Sequence, residues 1–164
     1  MEGCTTGALT LADWSAIAQI VLAATALSAL VVGVAQIVVT RSSSRQELTY
    51  NYTHRFSSPE LLPYHEKTGE LFKPAHIGAD ERYQDFLSMG RADQLAALVV
   101  PNLFEEMGGM YNQGLLDKRI TKEFFGDAAK EVWNSGSWLI ERWRATDPTY
   151  FEQWQLMLED MGLR

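Results

Sequence analysis

Positively charged residues are absent from the first 40 positions of the sequence, and charge of either sign is absent from Trp14 to Thr40. A secretory signal peptide places basic residues before a short apolar core, so this N-terminus does not resemble a cleaved signal. A soluble helix usually has a charged face, and this run of 27 residues offers none. The missing charges therefore favour a retained membrane helix over a leader or a buried core helix.

The chain also has few cysteines and no net positive charge. Cys4 is the single cysteine, so the chain cannot form an internal disulfide bond. This is compatible with a cytoplasmic location for the rest of the chain. The formal net charge of −7 argues against nucleic acid as a partner, because binding to phosphates needs a basic surface.

The sequence lacks the motifs that usually carry catalysis or bind a metal. No serine lies in a G-x-S-x-G setting, and no glycine-rich loop follows a strand. The stretch HEKTGE (65–70) lacks the second histidine of a zinc motif one turn later. His54, His65 and His76 are 11 residues apart, and two prolines separate the first pair. We therefore predict no catalytic residue, no metal site and no cofactor.

The uncharged run from Trp14 to Thr40 is long enough to cross a bilayer, whose apolar core needs about 20 residues. Arg41 and Arg45 follow it directly, and cytoplasmic flanks are enriched in arginine and lysine. We expect an external N-terminus at 1–13, a transmembrane helix at 14–40 and a cytoplasmic remainder. The expected location is the bacterial inner membrane, with the lipid bilayer as a partner.

Small and polar residues recur along the span at alternating spacings of four and three. Small residues let membrane helices approach closely, and amide side chains can hydrogen-bond between helices. Because a single span has no second helix of its own, the stripe predicts contact with another copy of the chain. A polar-lined pore and an accidental pattern in an alanine-rich helix are the alternatives. The stripe comprises Ser15, Gln19, Leu22, Ala26, Ala29, Gly33 and Gln36.

The remaining sequence predicts an all-α fold, because apolar residues recur at helical spacing and no segment has the pattern of a strand. The transmembrane helix is expected to continue into a helical stalk at 41–57, followed by a small helical domain at 58–164. Within that domain we expect a helix from Pro59 to Phe72, a loop at 73–80 and a segment from Asp80 to Gly114 that Pro101 kinks or restarts. A fourth helix is expected from Thr121 through NSGS (134–137). A last helix is expected to open with Asp147 as its N-cap.

A group of polar residues lies near the apolar face of the segment that contains Pro101. Asn102, Glu105 and Glu106 are three and four residues apart, and buried polar groups require partners. Arg142 and Arg144 are the candidate partners from the fourth helix. Two interpretations remain open: a structural hydrogen-bond network, or a pocket for a ligand or partner.

The order of motifs between about residues 95 and 160 resembles a bacterial family of single-span proteins that contain a domain of unknown function. The resemblance rests on an N-x-x-E motif at Asn102–Glu105, Tyr111, GLLD (114–117), Phe124, Trp133, Arg142 and DPTYF (147–151). It implies an N-terminal span, a short connecting helix and a helical domain. It implies no catalytic residue. The overall layout also resembles that of membrane-pore accessory proteins in bacterial immune systems, in architecture only.

The first expectation is a single-pass inner-membrane protein that acts by self-assembly as a homo-oligomer and by contact with a cytoplasmic protein partner. The alternative is an oligomeric pore that perturbs the membrane, in a setting such as anti-phage defence. A membrane-tethered hydrolase lacks a set of catalytic residues, so we do not expect an enzyme.

Overall fold

The computed structural model describes residues 11–73 and 78–164, and this part of the chain forms helices and no strands. The all-α class predicted from the sequence is confirmed. The chain divides into two compact units, Met1–Ser43 and Ser44–Arg164, and the first helix contributes to both. The helices are α1 (Leu11–Phe56), α2 (Leu62–Phe72), α3 (Ala79–Ser88), α4 (Arg91–Ala97), α5 (Val99–Asn112), α6 (Lys118–Arg144) and α7 (Glu152–Asp160).

The first unit contains the apolar part of α1. Its large apolar side chains are exposed on every side of the helix, from Trp14 to Val39. The helix is long and apolar enough to span a membrane, with a mean hydropathy of 2.3 over its most apolar window. The hydroxyls of Thr25 and Ser28 donate to the helix's own carbonyls at Val21 and Ala24, both at 2.8 Å. These two polar groups therefore need no partner outside the helix. Most of the predicted external segment 1–13, including Cys4, lies outside the described residues.

The second unit begins at Ser44, within the segment 41–57 for which a stalk was predicted. Thr49 and Tyr52 are buried there, and Leu48 and Phe56 pack against the main core. The last turns of α1 are thus part of the compact unit.

The main core of the second unit lies between α5, α6 and α7. Its fully buried side chains include Phe104 and Met107 from α5, Phe125 from α6, and Trp154 and Met157 from α7. Aromatic rings pack at its centre: Phe104 stacks on Trp154 at 5.1 Å, and Trp133 meets Trp154 edge to face at 5.0 Å. A smaller cluster joins Phe72, Phe86 and Leu139 from α2, α3 and α6.

The helical segment predicted from Asp80 to Gly114, with a kink or a restart at Pro101, is three helices. The chain is extended at Met89 and Gly90, which separates α3 from α4, and α4 ends at Ala97 with Leu98 as its C-cap. Pro101 is tolerated because it lies in the first turn of α5, where its missing N–H would have no partner within the helix. The proline therefore marks the start of a helix.

Three other helix starts also differ from those expected. The second helix begins at Leu62, with Pro63 in its first turn. The fourth begins at Lys118, because Asp117 and not Thr121 supplies the N-cap, accepting a hydrogen bond from the Ile120 N–H. The last begins at Glu152. The prediction that the fourth helix continues through NSGS is confirmed. The expected loop at 73–80 lies partly outside the described residues.

Candidate functional site

The seven stripe residues of α1 lie on one side of the apolar helix. At 100° per residue they fall within an arc of about 100°. All are exposed in the first unit except Gly33, which is half-exposed. A Cβ atom built on Gly33 would meet nothing within 4 Å. The stripe therefore has no partner within the described part of its unit, residues 11–43.

The polar residues expected to form one network are divided among separate contacts. Glu105 accepts hydrogen bonds from two backbone N–H groups at the start of α7, Gln153 at 3.2 Å and Trp154 at 2.8 Å. It thereby supplies the cap that α7 lacks, since no side chain at its own N-cap, Phe151, does so. Asn102 is exposed, and no side-chain hydrogen bond of Asn102 occurs within residues 11–73 and 78–164.

Glu106 joins α5 to the end of α1. Its carboxylate accepts a hydrogen bond from the Tyr52 hydroxyl at 2.8 Å and pairs with the Arg55 guanidinium at 3.2 Å. Burial, together with the hydrogen bond to Glu106, raises the pKa of Tyr52 to about 12. This contact fixes the last turns of α1 to the core of the second unit.

The two arginines expected to bind these acids have other partners. Arg142 pairs with Asp80 and lies over the ring of Tyr83, so it attaches α3 to α6. Arg144 donates to the Tyr150 carbonyl at 2.7 Å and also to the side chain of Gln155. Within residues 11–73 and 78–164, neither arginine forms a hydrogen bond or an ion pair with Asn102, Glu105 or Glu106, although the charge of Glu105 favours the protonated form of Arg144. Sequence spacing placed the acids on one helix face, but the packing of helices separated their partners.

The GLLD motif connects α5 to α6. Gly114 adopts a left-handed conformation (φ 69°), and the Leu115 N–H donates to the Met110 carbonyl, which closes α5 in a Schellman motif. Leu116 is buried, and Asp117 caps α6. The buried Thr49 hydroxyl accepts a hydrogen bond from the Asp117 N–H at 2.9 Å. The motif thus fixes this connection to α1.

The DPTYF motif forms the turn before α7. The Asp147 carboxylate accepts hydrogen bonds from the N–H and the hydroxyl of Thr149, and both bonds lower the pKa of Asp147. Phe151 has a left-handed backbone (φ 53°) and packs its ring against Trp154 in the core. The turn therefore presents the free N–H groups of α7 to Glu105. The sequence predicted Asp147 as the N-cap of the last helix. Its side chain instead caps the turn that precedes α7.

A further polar contact links α5, α6 and α7. The Tyr111 hydroxyl donates to Asp160 at 2.7 Å, and Lys118 donates to the same carboxylate oxygen at 2.9 Å. These hydrogen bonds lower the pKa of Asp160, whereas burial raises the pKa of Tyr111. The arrangement connects the end of α7 to α5 and α6 through one carboxylate oxygen.

A groove that sequence reasoning missed lies between α2, α5 and α6. Its volume is about 340 Å³. His65 is on its wall, with its Nε2 atom 2.9 Å from the Phe56 carbonyl oxygen. Since a carbonyl can only accept, Nε2 carries the proton. The sequence signal that was available was the shared helix face of His65, Gly69 and Phe72, at spacings of four and three.

Within residues 11–73 and 78–164, no three side chains of histidine, cysteine, aspartate or glutamate lie together as metal ligands would. His54 is exposed, His65 contacts Phe56, and His76 lies outside the described residues.

The chain matches one known protein family over most of its length. The family model described as a domain of unknown function, DUF4760, matches residues 15–161. The chain belongs to the DUF4760 family. No curated protein and no solved structure matches it. The match begins at the first stripe residue, so this DUF4760 chain shares with its family the apolar helix as well as the bundle.

Proposed function

We propose that this DUF4760 protein is a single-pass protein of the bacterial inner membrane that acts through self-assembly and partner contact, not through catalysis. The observation that carries the proposal is the apolar part of α1, whose large side chains are exposed all around the helix. Each such side chain gains about 1.5–3 kcal/mol when it leaves water. A bilayer removes all of them from water at once.

The proposed orientation places the N-terminus outside and the bundle in the cytoplasm. Arg41 and Arg45 are exposed at the end of the uncharged run, where positive charge favours the cytoplasmic side.

Self-assembly through the stripe is supported by its shape. Leu22, Ala26, Ala29 and Gly33 occupy its middle, and three of these four are small. Helices with small residues at the contact can pack closely, which is the main source of attraction between helices in lipid. A second copy of the same helix supplies a matching surface. A cytoplasmic protein partner would bind the bundle.

A pore is the second candidate, because Gln19 and Gln36 place polar side chains within the apolar span. Their amides are exposed on the stripe. They are 17 residues apart, about 25 Å along a helix, so each lies near one edge of a hydrocarbon core about 30 Å thick. The residues between them on the stripe are apolar. This spacing suits a helix contact with interhelical hydrogen bonds at both ends better than it suits a continuous water-filled channel. In a setting of anti-phage defence, such a pore would leak on infection.

The test compares Gly33→Leu with Val34→Leu in the full chain. Both variants introduce the same side chain at adjacent positions, but only Gly33 lies on the stripe. We expect Gly33→Leu to reduce the oligomer measured by light scattering in mild detergent, whereas Val34→Leu leaves it unchanged.

Leakage of a small dye from expressing cells is measured in parallel. Equal assembly of the two variants would contradict the interface. Leakage that falls together with assembly in Gly33→Leu, Gln19→Leu and Gln36→Leu would favour the pore over the anchored module.

A further inference from the structure

The groove between α2, α5 and α6 is a preformed space within the second unit. Small-molecule sites in proteins occupy about 300 Å³ or more, and this groove has about 340 Å³. A Cβ atom built on Gly69 would meet nothing within 4 Å, which confirms that the wall of α2 is open at this point. Phe72, Val100 and Val132 form the apolar part of the lining.

Groups of opposite charge stand on different elements around this apolar surface. Lys73 lies at the end of α2, and Glu131 lies on α6 with Ser135 one turn later. Within residues 11–73 and 78–164, neither Lys73 nor Glu131 forms an ion pair, although seven other ion pairs are present there. As far as the described residues are concerned, both charges are therefore available to a ligand.

His65 adds a polar group with a fixed orientation. Its ring stands edge to face against Phe56, with centroids 4.5 Å apart, and its Nε2–H donates to the Phe56 carbonyl. The remaining nitrogen, Nδ1, is then a hydrogen-bond acceptor in the neutral ring. Because Phe56 is the last residue of α1, His65 connects the lining of the groove to the end of that helix.

We propose that this groove binds a small zwitterion of amino-acid size. Lys73 would bind its carboxylate, Glu131 would bind its ammonium group, and the apolar lining would contact its side chain. One cation and one anion that face a shared space complement a ligand with both charges, whereas a simple anion would be repelled by Glu131 and a simple cation by Lys73. The proposal is independent of self-assembly through α1.

The experiment titrates the full chain in detergent with three probes by calorimetry: L-leucine, L-phenylalanine and L-glutamine. We expect at least one of them to bind. For the amino acid that binds most tightly, the two analogues that lack either its ammonium or its carboxylate group should bind at least tenfold more weakly. For L-leucine these analogues are isocaproate and isoamylamine.

The matched variants are Gly69→Leu and Gly109→Leu. Both glycines lie inside helices at positions where an added Cβ meets nothing within 4 Å, but only Gly69 lines the groove. We expect Gly69→Leu to abolish binding and Gly109→Leu to retain it, with the helical circular dichroism of both unchanged. Lys73→Gln and Glu131→Gln should each weaken binding at least tenfold.

Three results would overturn the proposal. The first is that none of the three amino acids binds. The second is that Gly69→Leu binds as tightly as Gly109→Leu, which would place the site elsewhere. The third is that an analogue with a single charge binds as tightly as its parent amino acid. If Gly69→Leu fails to fold, the Lys73→Gln and Glu131→Gln affinities decide the matter.

Discussion

Glu105 shows how a residue that resembles a functional acid can have a structural task. Its two carboxylate oxygens accept hydrogen bonds from the first free N–H groups of α7, at Gln153 and Trp154. Negative charge at a helix N-terminus is also favourable because of the helix dipole. The glutamate of the N-x-x-E motif thus caps a helix whose Gln153 lies 48 residues further along the chain.

We predict that Glu105→Ala lowers the free energy of unfolding by about 1–3 kcal/mol, because two partly buried N–H groups lose their acceptor. Asn102→Ala is the matched control within the same motif. It should change the stability by less than about 0.5 kcal/mol, since Asn102 is exposed. Urea denaturation of the second unit measures both. Equal effects at the two positions would refute a capping role for Glu105.

The raised pKa of Tyr52 predicts how stability changes at alkaline pH. Its pKa is raised to about 12 by burial and by Glu106, compared with about 10 in an unfolded chain. A raised pKa in the folded state means that the stabilisation is fully present below pH 10 and is lost as pH rises towards 12. Tyrosine absorbance during an alkaline titration should therefore show a late-ionising group that Tyr52→Phe removes. A titration unchanged by this substitution would contradict the contact with Glu106.

At the scale of elements, α5 and α7 approach each other most closely at Gly108. A Cβ atom there would lie 2.5 Å from the Gln153 carbonyl oxygen, a backbone atom that cannot move without shifting α7. The side chain of Asn112, one turn further along α5, donates to the same carbonyl at 2.9 Å. The face of Glu105, Gly108 and Asn112 therefore fixes the position of α7.

We predict that Gly108→Ala destabilises the second unit by about 1–3 kcal/mol through overpacking. Gly109→Ala is the control, because its Cβ would meet nothing within 4 Å and alanine has the higher helix propensity. It should raise the stability by up to about 1 kcal/mol. Thermal denaturation of the two variants side by side measures the difference, and a tolerated Gly108→Ala would show that the helices separate easily.

Trp133 lies where α6 meets α7. Its ring is edge to face with Trp154, and the guanidinium groups of Arg144 and Arg164 lie 5.3 and 4.9 Å from its centre. Only 6% of its surface is exposed. Trp133→Ala should cost about 3–5 kcal/mol in chemical denaturation. A loss below about 1 kcal/mol would mean that this end of α6 contributes little to the core.

At the scale of the whole molecule, the last turns of α1 belong to the folded unit. Thr49, Tyr52 and Phe56 contact α5, α6 or the connection between them. We predict that a fragment of residues 44–164 unfolds cooperatively with heat, whereas a fragment of residues 58–164 does not. The fragment without these turns would leave Glu106 and the Asp117 N–H without partners. Cooperative unfolding of both fragments would show that α1 is dispensable to the bundle.

The orientation of the chain in the membrane is tested through Cys4. Since it is the single cysteine, a membrane-impermeant thiol reagent has one target. The positive flank at Arg41 and Arg45 predicts that Cys4 reacts in intact spheroplasts. Reaction only after lysis would reverse the proposed topology, and Cys4→Ser is the control for labelling of other proteins.

The sequence by itself determined the helical class and the apolar helix. The absence of charge from Trp14 to Thr40 is a property of composition, and the apolar spacing of the later segments is a local pattern. Both can therefore be recognised without knowledge of tertiary contacts. The continuity of α6 through NSGS followed in the same way. Leu95 shows where such inference fails. It lies at helical spacing from Leu103, which is buried in the core, yet Leu95 is exposed.

Only the tertiary structure decided the partners of the polar residues and the boundaries of the shorter helices. Glu105 and Gln153, Glu106 and Tyr52, and Arg142 and Asp80 are about 50 to 60 residues apart, and periodicity carries no information about contacts at such separations. The groove likewise depends on where three helices fail to fill the space between them. A helix spacing fixes which side chains share a face, but the packing of helices decides what each face meets.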